Sequence, residues 1–340
     1  MKTKKISCIF SFLFSFLSLP AFTSTIDMFD FEGKQEAFIK VKNKNFHDVF
    51  EEKQISLMKI TTTPAMKLKN KKVMDDYYNG SGEQDYSIGI IGFNSSSSAI
   101  DLGMENVPVL DQGKYGTCVT FSSTAALDAK LANNISTNIF TSPDFIDQQC
   151  ILSLNKFLGN NLWNGAKSPV QILEPLKKYG IIAKNTCNDN YYPTPNYVIS
   201  PEVYSKKSIK NMSHLIHYNY LPKADLSALK EAINNGNRVL IGVALANFPH
   251  NKISVNGFDM LVDSTYTSGG LWACKQPQNE INYCPPDPTS GHEVLVIGYD
   301  DNQHLLKIRN SWSEAAGESG DFYMTYTFFE AMALDQTEIF

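Results

Sequence analysis

Three rhythms of apolar and polar residues divide the chain. An apolar run, Ile6 to Leu17, follows Lys2, Lys4 and Lys5. A basic start, a short apolar core and small residues around Pro20 and Ala21 have the outline of a secretory signal peptide, here residues 1–24, with cleavage after Ala21 or within Thr23 to Thr25. The run is too short to span a bilayer, and no later stretch reaches the roughly 18 apolar residues that spanning requires. Phe38 to Val41, Gln54 to Thr62 and Tyr86 to Phe93 then combine β-branched and aromatic residues with poor helical periodicity, which predicts a hairpin-rich segment. Beyond a polar tract at Asn94 and Ser95 to Ser98, helical and strand patterns take over.

In that third part the spacing predicts helices over Phe121 to Asn133, Val170 to Tyr179 with Gly180 as C-cap, and Leu226 to Asn234. Val239 to Ala244, Val294 to Tyr299, Leu305 to Arg309 and Phe322 to Tyr326 read as strands. Helices collect first and strands later, so the expectation is an α+β fold with a helical lobe packed on an antiparallel β-rich lobe and a cleft between them. With 340 residues and 43% hydrophobic content, the chain can bury one large or two modest cores. Its net charge of −5 offers no basic field for nucleic acid. Lys67 to Lys72 is a local basic cluster, read as solvated surface or a processing site.

The chemistry concentrates in two distant blocks. Cys118 follows a Gly-containing turn and precedes the first helix, so backbone N–H groups and the helix dipole are expected to lower its pKa and favour a thiolate. His292 opens an apolar strand, a rigid position for a base. Asn310 can fix the imidazole tautomer, and Trp312 can shield that bond from water. Gln112, six residues before the cysteine, can donate its amide to an oxyanion together with the Cys118 backbone N–H. Alone, a cysteine is usually a small buried hydrophobe, and an Asn-Ser pair is usually a turn. Together, in this order, they describe acyl transfer through a thioester.

Gln112-Gly113, Gly116-Thr117-Cys118, Phe121-Ser122, Gly291-His292, Gly298-Tyr299 and Asn310-Ser311-Trp312 resemble the signature blocks of the papain-like cysteine peptidases. The resemblance covers residues 100–340 in the family's order. Ser142 to Cys150 resembles a helix ending in a half-cystine, Asn164-Gly165 resembles a segment lining the substrate cleft, and Gly317 and Gly320 fall near the family's closing glycines. The resemblance implies Cys118, His292, Asn310 and Gln112 as catalytic, Asn164, Gly165 and Gly291 as substrate-binding, and Trp312 as supporting. It also implies a peptidase domain over 99–340 and an inhibitory propeptide over 25–98, with Tyr86 to Phe93 either extended along the cleft or an ordinary edge strand. The chain departs from the pattern at Val119, where an aromatic is usual, at Ser313, where glycine is usual, at Ala316, where tryptophan is usual, and at Tyr115, where many relatives carry a half-cystine.

Six cysteines are present. Setting aside Cys8 and Cys118 leaves Cys150, Cys187, Cys274 and Cys284, which allow three pairings. Proximity favours Cys150 with Cys187 and Cys274 with Cys284, the alternative being four reduced thiols. His292 lies 174 residues beyond Cys118, against roughly 130–150 in compact relatives. An expanded segment at Asn247 to Asp287 accounts for the excess.

The expected protein is therefore a secreted cysteine peptidase made as a zymogen, active as a monomer on proteins or peptides, inhibited by its own propeptide, free of the membrane after signal removal, and needing no cofactor or metal. Two other readings use the same residues: a transglutaminase or deamidase acting on glutamine side chains, and a catalytically silent binding protein.

Overall fold

A computed structural model describes residues 27–43, 50–79, 98–134, 143–187, 192–245, 254–255, 258–259, 270–274 and 284–340. The signal-like segment, Tyr86 to Phe93 and most of Asn247 to Asp287 lie outside them.

The chain begins with a long antiparallel hairpin, β1 (Phe29–Lys42) and β2 (Phe50–Thr62), paired from Phe29↔Thr62 to Lys42↔Phe50. On β1, Ala37, Ile39 and Val41 are buried while Glu36 and Phe38 are exposed, the alternation of a strand with one wet face. On β2, Ile55, Ser56, Leu57 and Met58 are all buried in succession. Burial on both sides of a strand means that it is sandwiched, and each buried aliphatic side chain contributes about 1.5–3 kcal/mol before ordering costs.

Helix α1 (Pro64–Tyr78) follows at once, with Thr63 as N-cap and Pro64 in its first turn. The sequence pattern did not predict this helix, because its apolar positions are few. Met66 and Met74 are buried on one face, with Ala65, Val73 and Tyr77 packed beside them, and polar contacts add to this. Lys69 Nζ donates to Ala333 O at 2.5 Å and Asn70 Nδ2 to Pro285 O at 3.1 Å. Lys69 is thus half-buried against the second lobe and loss of water around its amine, with the charge of Lys223, pushes its pKa down to about 8, so the basic cluster is not wholly a solvated face.

After β3 (Ala99–Asp101) come the helices of the first lobe: α2 (Cys118–Asn134), α3 (Gln148–Phe157), α4 (Val170–Tyr179) and α5 (Pro201–Lys207). Helix α2 starts three residues earlier than its composition predicted, at Cys118 itself. Helix α3 also differs from the expectation: Cys150 lies in its first turn rather than at its end. Asp147 is the reason. Its carboxylate caps α3 through Cys150 N at 3.0 Å and also accepts from Thr186 N and Cys187 N, and Cys150 is bonded to Cys187.

The second lobe contains β4 (Tyr218–Leu221), α6 (Leu226–Asn234), β5 (Arg238–Leu245), a short ribbon of β6 (Ser254–Val255) and β7 (Phe258–Asp259), β8 (Gly270–Trp272), β9 (Ser290–Asp300), β10 (Leu305–Arg309), β11 (Asp321–Thr325), α7 (Tyr326–Met332) and β12 (Ala333–Ile339). The sheet runs β4-β12-β5-β9-β10-β11-β8, antiparallel except for the β11–β8 pair. Both β2 and β3 pair with β9, so the hairpin is joined to the main sheet. Every residue of β5 and β9 is buried. The fold is α+β, and helix α2 packs on β9 where the two halves meet. Cys274 is bonded to Cys284 just before β9.

Ser313 adopts φ of 75°, the left-handed region that a residue with a Cβ disfavours. The glycine of the family pattern is explained by that backbone. Ser313→Gly should raise stability by about 1 kcal/mol, read as a higher urea midpoint at unchanged slope.

Candidate active site

Strand β9 presents His292 and the turn after β10 presents Asn310. His292 Nε2 lies 2.9 Å from Asn310 Oδ1. That oxygen also accepts from Ser311 N at 2.7 Å, which fixes the amide with its oxygen toward the imidazole. Nε2 therefore carries the proton. Nδ1 is left as the basic nitrogen, buried and without a hydrogen-bond partner. Trp312 stacks on the ring with centroids 4.6 Å apart, and Trp272 packs beside both, 6.4 Å from the imidazole and 6.2 Å from Trp312. Both tryptophans keep water from the His292–Asn310 bond.

Cys118 begins α2, fully buried, with the backbone amides of Val119 and Glu293 serving its sulfur. Glu293 directly follows His292, so Cys118 and His292 both lie where α2 packs on β9. One turn further along α2, Ser122 Oγ donates to Glu293 O at 2.9 Å and holds the helix to β9.

Gln112 is oriented from both ends. Its backbone N–H donates to Ser311 O at 2.9 Å, and its Oε1 accepts from Ser311 Oγ at 2.7 Å. Nε2 then points inward, to Tyr115 O at 2.9 Å and Ser56 O at 3.2 Å. Tyr192 ties this loop together: its hydroxyl donates to Gln112 O at 2.9 Å and lies 3.2 Å from Thr117 Oγ1, next to Cys118. Trp163 stacks on Tyr192 and meets the edge of Tyr115 at 5.1 Å, so aromatic contacts occupy the place where a half-cystine is usual.

The hairpin lies over all of this. Ser56 O takes the Gln112 amide, Ser56 Oγ donates to Lys114 O at 2.8 Å, and Lys53 Nζ reaches Trp312 O at 3.0 Å and Asp111 at 2.6 Å. Met58 pairs with Gly291, and Ile60 N donates to Thr289 O. Gly165, at the end of a short helical turn through Leu162–Asn164, lies so close to the Phe31 ring that an added Cβ would come within 2.6 Å of it. The backbone of Asn164 is packed just as tightly on Gly116. The hairpin thus covers Gly165 and Gly291 at once.

Covering changes the acid–base state. Burial, with the charge of Glu293, pushes the Cys118 thiol up to about 12, and burial pushes His292 down to about 4 against the raising effect of Asn310. The lowered cysteine pKa expected from the helix N-terminus does not hold in this covered state, because loss of water outweighs the amides. A neutral thiol–imidazole pair results.

Sequence reasoning missed Ser311 as a strut, Trp272 as a shield and Tyr192 as a tie. Ser311 lay inside a motif already singled out. Tyr192 gave no local signal, since its partners are 75 and 80 residues away. Among the described residues no group of His, Cys, Asp and Glu is arranged to hold a metal, and no helix is long and apolar enough to cross a membrane.

No family model matches the chain. It is 24% identical over 215 residues to cysteine proteinase 2 of Entamoeba histolytica and 26% identical over 216 residues to cysteine proteinase 1 of the same organism. Each match covers 63% of this chain and 58% of the relative. Among solved structures it is similar to xylellain, a cysteine protease from Xylella fastidiosa, with 21% identity, a TM-score of 0.49 and coverage of 71% of this chain and 85% of that one. It is also similar to digestive procathepsin L 3 of Tenebrio molitor, with 20% identity, a TM-score of 0.48 and coverage of 82% and 93%. In sequence the chain is thus similar to cysteine proteinases, and it spans somewhat more than half the length of those it matches.

Tyr192→Phe should lower kcat about 5- to 10-fold with KM nearly unchanged, as expected for losing one hydrogen bond of about 1 kcal/mol that positions Gln112. A shift in KM alone contradicts that role. Neutral His292 stabilises the covered form above pH 6.5, and this contribution is lost as pH falls toward 4. The raised carboxyl of Glu293 works in the opposite sense. Imidazole NMR of the full chain should therefore give a His292 midpoint near 4; a midpoint near 6.5 contradicts burial beneath the hairpin.

Proposed function

We propose that this chain is a secreted cysteine peptidase made as a zymogen, whose β1–β2 hairpin and α1 form the inhibitory part of a propeptide spanning 25–98. The observation that carries the reading is the Ser56 carbonyl on the Gln112 amide, beside a buried Cys118 and a His292 oriented by Asn310. A peptide carbonyl already occupies an oxyanion donor, which is how a substrate carbonyl would be held. Support for peptidase chemistry comes from the cysteine proteinase relatives, and support for secretion comes from the signal-like residues 1–24.

Once the hairpin leaves, water and substrate reach the pair. The Cys118 proton passes to His292 Nδ1, and the thiolate attacks the scissile carbonyl carbon. The oxyanion takes the position of Ser56 O, bound by Gln112 Nε2 and the Cys118 backbone N–H. Collapse breaks the C–N bond, and the leaving amine takes the proton from His292. Water, deprotonated by His292, then attacks the thioester and releases the acid, returning Cys118 as a thiol. Asn310 keeps the proton on Nε2 throughout, so Nδ1 stays available. Gly165 and Gly291, now covered by the hairpin, and the neighbouring Asn164 serve as backbone partners for the substrate.

Two measurements test the reading. Cys118→Ala should abolish peptide hydrolysis, by about 10⁴-fold or more, with the fold retained, while Asn310→Ala should cost roughly 10²-fold, since orientation is lost but the pair remains. Hydrolysis at the unaltered rate by Cys118→Ala rules out the assignment, and ammonia release from glutamine without backbone cleavage favours a deamidase. Limited proteolysis that removes the hairpin should raise activity at least severalfold. Equal turnover before and after removal contradicts the zymogen.

A further inference from the structure

The second lobe buries two carboxyl groups for which the mechanism has no use. Glu293 on β9 and Asp335 on β12 flank Gly242 of β5 in one cross-strand row, Glu293↔Gly242↔Asp335. Their side chains converge over the glycine: a Cβ there would lie 2.5 Å from Asp335 Oδ1 and 3.5 Å from Glu293 Oε2. The Gly242 N–H at 3.1 Å and the Tyr220 hydroxyl satisfy part of Asp335. Glu293 Oε1 and Asp335 Oδ2 have no partner, and neither does Thr337 Oγ1, two residues beyond Asp335 and so on the same side of β12. Three unpartnered oxygens in a dry site cost free energy that a folded core does not ordinarily leave uncompensated.

The face that carries them continues to the cleft. Strand residues alternate sides, so Gly291 and Glu293 share one side of β9, and Ala244 and Gly242 are their neighbours on β5. Gly291, Ala244 and Gly242 leave a trough of small residues leading from beside His292 to the carboxyl pair. The hairpin fills its outer end: Met58 Cε and Ile60 Cγ2 each lie 3.3 Å from where a Cβ of Gly291 would sit. Met58 is an unbranched chain seated at Gly291, two residues from Glu293 on the same face of β9. A longer unbranched chain with a positive end would reach the carboxyl pair.

We infer that departure of the hairpin opens a pocket beside His292, walled at its inner end by Glu293 and Asp335, that takes the lysine or arginine side chain of a peptide substrate. This rests on the peptidase reading. An arginine or lysine head supplies the donors that the unpartnered oxygens lack and the charge that lets the pair ionise. Burial, with the charge of Asp335 adding to it, holds the Glu293 carboxyl well above the ordinary range, and burial pushes Asp335 up to about 6 against the lowering effect of the Gly242 N–H and the Tyr220 hydroxyl. The other charged groups that bear on the pair are Lys167, now held by Asp27 at 2.8 Å ahead of the hairpin, and Tyr220. Releasing the hairpin frees Lys167 as well, so a competing reach by that lysine is the specific way in which the pocket could be neutralised from within.

The test uses the full chain activated by limited proteolysis, with active sites counted by an epoxide inhibitor of cysteine peptidases. Fluorogenic tripeptides carry Arg, Lys, Leu or Glu in turn at each position before the scissile bond. The expected result is one position at which Arg or Lys exceeds Leu at least 10-fold in kcat/KM, with Glu the poorest. Glu293→Gln and Asp335→Asn, close in shape to the originals, should each lower that Arg-to-Leu ratio several-fold, whereas Lys167→Ala should leave it or raise it. A titratable, active enzyme with no basic preference at any position overturns the inference alone, as does a ratio that survives both carboxyl substitutions. Absence of any titratable thiol overturns the peptidase reading and this inference with it.

Discussion

One hydrogen-bond chain joins the two lobes and orients Gln112, Asn310 and His292. Gln112 and Ser311 exchange two bonds, Ser311 N donates to Asn310 Oδ1, and the same oxygen holds His292 Nε2. Because the oxygen of Asn310 is fixed by Ser311, the imidazole has one tautomer open to it. Because the oxygen of Gln112 is taken by Ser311 Oγ, its N–H groups have one direction in which to donate. The chain is buried behind Trp312 and Trp272, where each bond is stronger than in water and each orphaned atom costlier. Cys118 and the α2 amides need only be brought against this frame.

The hairpin is seated on this frame. Its Ser56 carbonyl accepts from the one amide the chain leaves pointing inward, its β2 strand pairs with the edge of β9, and its side chains fill the space beside Gly165 and Gly291. Burial on both sides of β2 gives the cover apolar strength, while α1, docked through Lys69 and Asn70, anchors its C-terminal end. The cost of covering is borne by the ionisable pair, which is neutral while dry. On the proposed zymogen reading, inhibition and protection of the thiol from ionisation are one physical event, the exclusion of water.

Much of this was legible in the sequence where a local pattern carries the information. Val170–Tyr179, Leu226–Asn234 and Leu305–Arg309 coincide with their spacing, and β5 and β9 read as continuous apolar strands because both of their faces are buried. Cys118, His292, Asn310 and Gln112 were legible because each sits in a motif with a chemical reason for its neighbours. Helix α1 was not, since its buried face, Met66, Asn70 and Met74, is sparse among lysines and is completed by polar contacts to distant carbonyls. Nor was the raised cysteine pKa: a helix N-terminus can be read from sequence, but the hairpin that removes water from it is a tertiary fact. Tyr192, Trp272 and the Glu293–Asp335 pair belong to the same class, being defined by neighbours far away in the chain.

The central claim is that the hairpin keeps Cys118 covered and neutral. The most direct measurement is the second-order rate at which an epoxide inhibitor captures Cys118, in the full chain and after the hairpin has been cut away and removed. The account predicts capture at least 10-fold slower in the full chain, with the rate recovered on removal. Equal rates in the two forms would contradict it.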